Sequence, residues 1–271
     1  MADEERYARH LGLFGAAGQT EIADARVTIV GLGGLGAHVT QQLAYLGVRE
    51  FLLVDDDVVS TSNLNRLVGA GPGDLGEPKV KVAAAMIEAI APEASVALAE
   101  ARFTPEAILP ERPPTVIFGC LDRDPVRLEI TRRSAEGRVP YIDLASDVAP
   151  GGEFGGRIVF AKDGERCLSC LGELDQHALA RAEMAPGQRE ADDRIYGVDR
   201  AALGESGPSV VSVNGAVASL AVVEFMVWIT GIRAPRGYLT YRGDLATVGS
   251  RADLPRGYCH YCMGLWGHPQ D

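Results

Sequence analysis

The sequence predicts an α/β fold: an open, doubly wound, Rossmann-like and mostly parallel sheet with an antiparallel C-terminal extension. Three observations carry that reading. Short apolar runs alternate with helical periodicity through the first half of the chain, the pattern that stacks helices on both faces of a parallel sheet. A glycine-rich turn, VGLGGLG, joins the first β-rich run to a clear helix. After Asp147 the alternation gives way to turn-rich and hairpin-like segments that carry two Cys-x-x-Cys pairs.

The elements follow in order. The first residues, with Tyr7, Leu11 and Phe14 as apolar points, suit an amphipathic helix. ARVTIVG (25–31) is a β-rich run ending in glycine. GLGAHVTQQLAYLGV then places Leu35, Val39, Leu43 and Leu46 at helical spacing, and EFLLVD (50–55) is a second strand. Together they form a β-α-β unit with a right-handed crossover and parallel strands. PKVKVAAAMIEAIAP is helical and stops near Pro92. SVALA and the fully apolar TVIFGC (115–120) are strands, the second of the kind buried on both faces. DPVRLEITRRSAEG is a helix with aspartate at its start and glycine at its end, and VPYIDL is the next strand. GGEFGGRIVFA reads as a turn and an antiparallel strand. The stretch 172–208 is polar and turn-rich, least structured over 185–197, and suits a functional loop. A long apolar helix over 209–231 carries Glu224, which marks it as a core helix rather than a membrane span. GYLTYRGDLATVG reads as a hairpin.

Composition narrows the function. The 271 residues carry a net charge of −11 and are 46% hydrophobic. That is ample for a core, and the acidity argues against nucleic acid and anionic membranes as partners. No apolar run approaches the roughly 20 residues of a span, and the charged N-terminus has no apolar h-region. We therefore expect a cytoplasmic protein with no membrane partner.

Gly31, Gly33 and Gly36 fit G-x-G-x-x-G between a strand and a helix, with Gly34 inside the motif. Glycines there let the backbone turn tightly and let phosphate approach the amides at the helix N-terminus. Asp55, at the end of the second strand, is placed to accept from ribose hydroxyls. The turn alone fits NAD or ATP. The polar stretch DDDVVSTSNLNR (55–66) favours ATP, because charge building on a triphosphate needs cations around it. Arg66 can fork two phosphate oxygens, Lys79 adds a point charge and Asn63 can donate. Asp57 and Asp122 offer carboxylate oxygens to Mg2+, and Asp122 follows the strand at the ligand-binding edge of the sheet. Each of these residues taken singly suits ordinary surface; their order and strand-end placement join them.

Of five cysteines, Cys167 with Cys170 and Cys259 with Cys262 form two knuckles suited to a tetrahedral structural Zn2+. His260 could compete as a ligand. Cys120, at an apolar strand end, suits buried packing.

RYARH, VGLGGLG, DDDVVSTSNLNR, GEPK and CLDRDPVR, with both knuckles, resemble the ThiF/MoeB family of ubiquitin-activating-enzyme-like adenylyltransferases, from about Arg6 to about Met263. The resemblance implies attack by the C-terminal glycine carboxylate of a small ubiquitin-like or sulfur-carrier protein, ending in Gly-Gly, on the α-phosphate of ATP. It assigns ribose to Asp55 and phosphates to Asn63, Arg66 and Lys79. Asp122 is placed with Mg2+ beside the α-phosphate. Arg9, by itself a solvated helix residue, matches an arginine that reaches the neighbouring protomer's ATP, which implies a homodimer. The expected single domain, 1–271, has a nucleotide-binding half (1–147) and a partner-binding and zinc half (148–271) with 172–208 as crossover loop. Two departures stand out. Many relatives carry a further cysteine in that loop, and this chain has none between Cys170 and Cys259; Arg123 replaces a common asparagine. The adenylate itself is then the simplest product. An NAD-dependent oxidoreductase, a non-catalytic nucleotide-binding scaffold and adenylation of a short peptide C-terminus remain alternatives.

Overall fold

The computed structural model describes residues 5–101, 112–149, 151–184, 208–251 and 258–267. The 185–197 stretch lies outside them. The helices are α1 (Ala8–Asp24), α2 (Gly34–Leu46), α3 (Lys79–Ile90), α4 (Asp124–Gly137), α5 (Gln176–Glu183) and α6 (Val211–Ile229). The strands are β1 (Arg26–Val30), β2 (Glu50–Val54), β3 (Ser95–Ala99), β4 (Val116–Gly119), β5 (Tyr141–Val148), β6 (Phe154–Ala161), β7 (Tyr238–Arg242) and β8 (Thr247–Ser250). They form one sheet in the order β3-β2-β1-β4-β5-β6-β7-β8. Pairing is parallel from β3 to β5 and antiparallel from β5 to β8.

Both faces of the central strands are covered, which explains why β1 and β4 read as nearly continuous apolar runs. Side chains alternate between faces along each strand. Val27, Ile29, Val116, Phe118, Ile142, Leu144, Ile158 and Phe160 enter one core, under α2, α3 and α6. Val30, Ile117, Tyr141, Val159 and Ala161 enter the other, with Ile130 of α4 and the cysteine knuckles. The first core is closed by edge-on aromatic packing of Phe118 on Phe225 (5.8 Å between centroids) and Phe160 on Trp228 (5.4 Å). Among the described residues α6 is long and apolar enough to cross a membrane. Here it lies against α2, β5 and β6, with Glu224 buried on an ion pair from Arg233.

Several expectations shift. The N-terminal helix is longer than its first apolar points implied and bends at Gly15, where φ is +68°. β5 extends to Val148, through the point where the sequence changes texture. The stretch read as turn-rich contains a helix, α5. Its first polar residues give the 3.6-residue pattern little apolar signal, and it is held from outside by contact with α4.

Candidate active site

The strand order reverses at β1: the chain runs outward through β2 and β3, then returns to lay β4 on β1's other side. Ligands of such sheets bind in the crevice at that switch point, beyond the carboxyl ends of the strands. Pairing of Val30 with Gly119 sets those two ends side by side. The glycine turn leaves β1, and the bend carrying Asp122 leaves β4.

The turn is tight for internal reasons. Gly31 has φ +87°, and a Cβ there would sit 2.7 Å from the Cys120 carbonyl oxygen. A Cβ on Gly36 would fall 1.9 Å from the Gly31 carbonyl oxygen, and one on Gly34 would strike the Asn214 side chain. Gly33 differs, since a Cβ there would meet nothing within 4 Å. Gly33 is the N-cap of α2 and offers no side-chain cap bond, so it leaves the first N–H groups of α2 to other acceptors.

Asp55 closes on this turn. Its Oδ2 accepts from the Leu32 N–H (2.6 Å) and its Oδ1 from the Asp57 N–H (2.8 Å). Burial raises its pKa above the ordinary aspartate value, against the Leu32 N–H and the charge of Lys79. Asp55 therefore braces the turn with part of its acceptor capacity, an employment that the ribose reading did not include.

The polar stretch folds into a closed loop. Residues 57–59 run antiparallel to 76–79, with Val59 N donating to Glu77 O (2.9 Å) and Lys79 N to Asp57 O (3.0 Å). Val59 and Leu67 pack with Ala37 of α2 and Val82 of α3 and hold the loop down. This zipper brings Lys79 against Asp57 at 2.6 Å, with the lysine side chain 9% exposed and the carboxylate 67%. The lysine and the acid read separately for phosphate and Mg2+ are thus partners. Asn63 accepts from Ser60 N through Oδ1 (3.1 Å), which leaves its amide hydrogens as donors. Arg66 donates to the Ser62 carbonyl and to Asn65 Oδ1, and its Cδ lies 3.5 Å from the Cβ position of Gly34.

Asp122 is exposed in its bend. Leu121, beside it, lies 2.8 Å from the Cβ position of Gly31. Arg9 is exposed near the start of α1, and no described contact of the single chain joins it to this group. Cys120 is buried in the first core, and that burial pushes its thiol up, with Asp143 adding to the effect.

The four knuckle cysteines converge, every Sγ within 4.8 Å of the others. Separations are 4.0 Å for Cys167–Cys170, 3.6 Å for Cys167–Cys259 and 3.9 Å for Cys170–Cys262. Zinc–sulfur bonds of about 2.3 Å in a tetrahedron set sulfurs about 3.8 Å apart, so the group could hold zinc with little adjustment. Sulfur hydrogen bonds hold the Cys170 thiol well below the usual range and push Cys167 and Cys262 up. His260 is exposed and outside the four-sulfur group. The second knuckle opens a π-helical turn (His260–Leu265) that packs on α4.

Two groups escaped the sequence reading. One is an ion network between α4, β5, β6 and the start of the crossover. Asp143, fully buried, takes Arg127 Nε (3.0 Å), Arg157 Nη1 (2.7 Å) and the Tyr141 hydroxyl (2.7 Å). Arg157 also holds Glu173 (2.6 Å), Arg127 holds Asp124 (2.8 Å), and Asp124 accepts from Asp175 N at the foot of α5 (2.7 Å). The other is Asn214. For Asp143 and Asn214 the only signal was a polar letter inside an apolar run.

The ThiF family matches residues 7–254. The sulfur carrier protein ThiS adenylyltransferase of Escherichia coli is 30% identical over 272 residues, covering 98% of each chain. The SAMP-activating enzyme E1 of Haloferax volcanii is 46% identical over 100 residues, which span 36% of this chain and only 37% of that protein. A crystal structure of Escherichia coli MccB with ATP superposes with a TM-score of 0.71 over 95% of this chain and 74% of that one; at 22% identity the likeness is one of fold. With a family match over nearly its whole length and a relative that aligns end to end, the chain belongs to the ThiF family.

Proposed function

We propose that the chain is an ATP-dependent adenylyltransferase. It activates the C-terminal carboxylate of a small ubiquitin-like or sulfur-carrier protein ending in Gly-Gly. The observation that supports this reading is that Arg66 reaches Gly34 at the start of α2, while Lys79, paired with Asp57, acts on Asp55, which braces the glycine turn. Gly33 adds weight, because no neighbour among the described residues demands a glycine there. The carboxylate oxygen attacks the α-phosphorus, a P–O bond forms, the α–β bridging bond breaks, and pyrophosphate leaves. The nucleophile is already ionised at neutral pH, so no general base is required. The remaining barrier is repulsion and alignment, which fixed cations and amides lower. Exposed Asp57 and Asp122 are oxygen donors suited to Mg2+, which supplies further charge neutralisation when bound.

Residues 1–147 hold the nucleotide, and 148–271 hold the partner and the zinc. Arg9, exposed on α1, completes the site of a second copy in a homodimer. With no cysteine in the crossover, the acyl-adenylate is passed to a thiol or amine on another molecule.

The test is ATP–pyrophosphate exchange with a Gly-Gly-ended carrier protein, and with a short peptide as a second arm. Arg66→Ala and Lys79→Ala are expected to lower exchange by about a hundredfold or more. Arg9→Ala mixed with Lys79→Ala should recover part of the activity through composite sites. Exchange unchanged in Arg66→Ala would overturn the proposal.

A further inference from the structure

We propose that Asn214 is a positioning residue of the glycine turn, and that Asn214 rather than the nucleotide dictates glycine at position 34. The proposal rests on the nucleotide reading of that turn. Asn214 lies in the first turn of the largely apolar α6 and is 1% exposed. Its amide is fixed at both ends: Oδ1 accepts from the Ser146 hydroxyl (2.8 Å), and Nδ2 donates to Ser209 Oγ (2.9 Å). The amide is then pressed onto the turn. A Cβ on Gly34 would sit 2.2 Å from Nδ2 and 3.2 Å from Cγ of Asn214. The backbone of Gly34 is helical, as the first residue of α2, so its conformation does not call for glycine. Space does.

The contact has a direction. Gly33, one residue earlier, opens on empty space, whereas Gly34 opens on Asn214. Of the two adjacent glycines, then, only Gly34 abuts α6. Arg66 reaches the same point from the polar loop, its Cδ 3.5 Å from the Gly34 Cβ position. Asn214 therefore ties together the start of α2, the far end of β5 through Ser146, and the residues that lead into α6 through Ser209. Loss of the amide removes the wall against which α2 begins. Amides aimed at a phosphate then lose their register, and charge-assisted bonds are sensitive to such shifts.

A merely buried asparagine would stabilise the fold without this coupling, and a double-variant cycle separates the two cases. Binding of a non-hydrolysable ATP analogue is measured by calorimetry on the full chain, with melting of the nucleotide-free protein in parallel. Asn214→Ala is expected to weaken binding about tenfold, the scale of one lost hydrogen bond, and to raise KM for ATP more than it lowers kcat. Gly34→Ala should bind far more weakly. Gly34→Ala with Asn214→Gly should bind at least about tenfold tighter than Gly34→Ala alone, because the added methyl then has room, and its melting should likewise exceed the sum of the single effects. A double variant no better than Gly34→Ala in both measurements overturns the proposal, as does Asn214→Ala binding with wild-type affinity. A wild type that binds no ATP analogue would end the nucleotide reading and the positioning role with it, while the melting cycle would still decide whether Asn214 sets glycine at 34.

Discussion

Replacing Asp143 with asparagine is expected to destabilise the fold sharply, though the two side chains have the same shape. The carboxylate is 0% exposed and receives Arg127 through Nε and Nη2, Arg157 through Nη1, and the Tyr141 hydroxyl. Asparagine keeps one oxygen for these donors and turns an NH2 group against the rest. It also removes the charge that balances two guanidiniums whose side chains are 7% and 12% exposed. Breaking a buried pair from one side costs about 3–5 kcal/mol. Arg127 keeps Asp124 and Arg157 keeps Glu173, so the lower end applies. For a chain of this size about 3 kcal/mol lowers the melting temperature by roughly 6–12 °C. Thermal melting followed by circular dichroism at neutral pH measures it. Replacing Asp143, Arg127 and Arg157 together by apolar residues of similar volume should cost less than Asp143→Asn alone, since no unbalanced charge stays behind. A variant that melts within about 2 °C of the wild type would refute the reasoning, because the network would then be too well hydrated to count.

Two further outcomes follow from the sites. Purified protein is expected to carry about one zinc per chain by elemental analysis, and Cys167→Ser or Cys262→Ser to lose it with a fall in melting temperature and faster proteolysis of the tail that packs on α4; variants that keep full metal would reject the four-sulfur site. Asp55 makes a pH prediction. Burial raises its pKa, so the folded chain holds the proton more tightly than the unfolded one. The stability this group contributes is fully present below its unfolded value and is lost as pH rises through the folded one. The melting temperature of the wild type relative to Asp55→Asn should therefore improve as pH falls from neutral to about 4.5. A difference that is flat or runs the other way would contradict it.

The central strands were legible because both their faces are buried, so Val116–Gly119 had to be apolar throughout. The same physics hid the rest. Which strands neighbour one another depends on pairings such as Val30 with Gly119, made between residues 89 apart in number, and nothing local records them. The Lys79–Asp57 pair depends on a backbone zipper that closes over a loop of twenty residues or so. Asp143 and Asn214 were spelled out as polar letters in apolar runs, yet a run tolerates such a letter only when distant partners satisfy it. The glycine motif makes the point most sharply. Read as a pattern, its glycines have two causes, a tight backbone turn and the approach of phosphate. In the fold Gly31 answers to a left-handed backbone, Gly36 to the Gly31 carbonyl and Gly34 to Asn214, and only Gly33 of the four has no neighbour among the described residues within 4 Å of its Cβ position. A motif match therefore does not say which of its glycines a ligand, rather than the fold, requires. Substitution at Gly33 should weaken nucleotide binding without unfolding the turn, whereas substitution at Gly36 should do both.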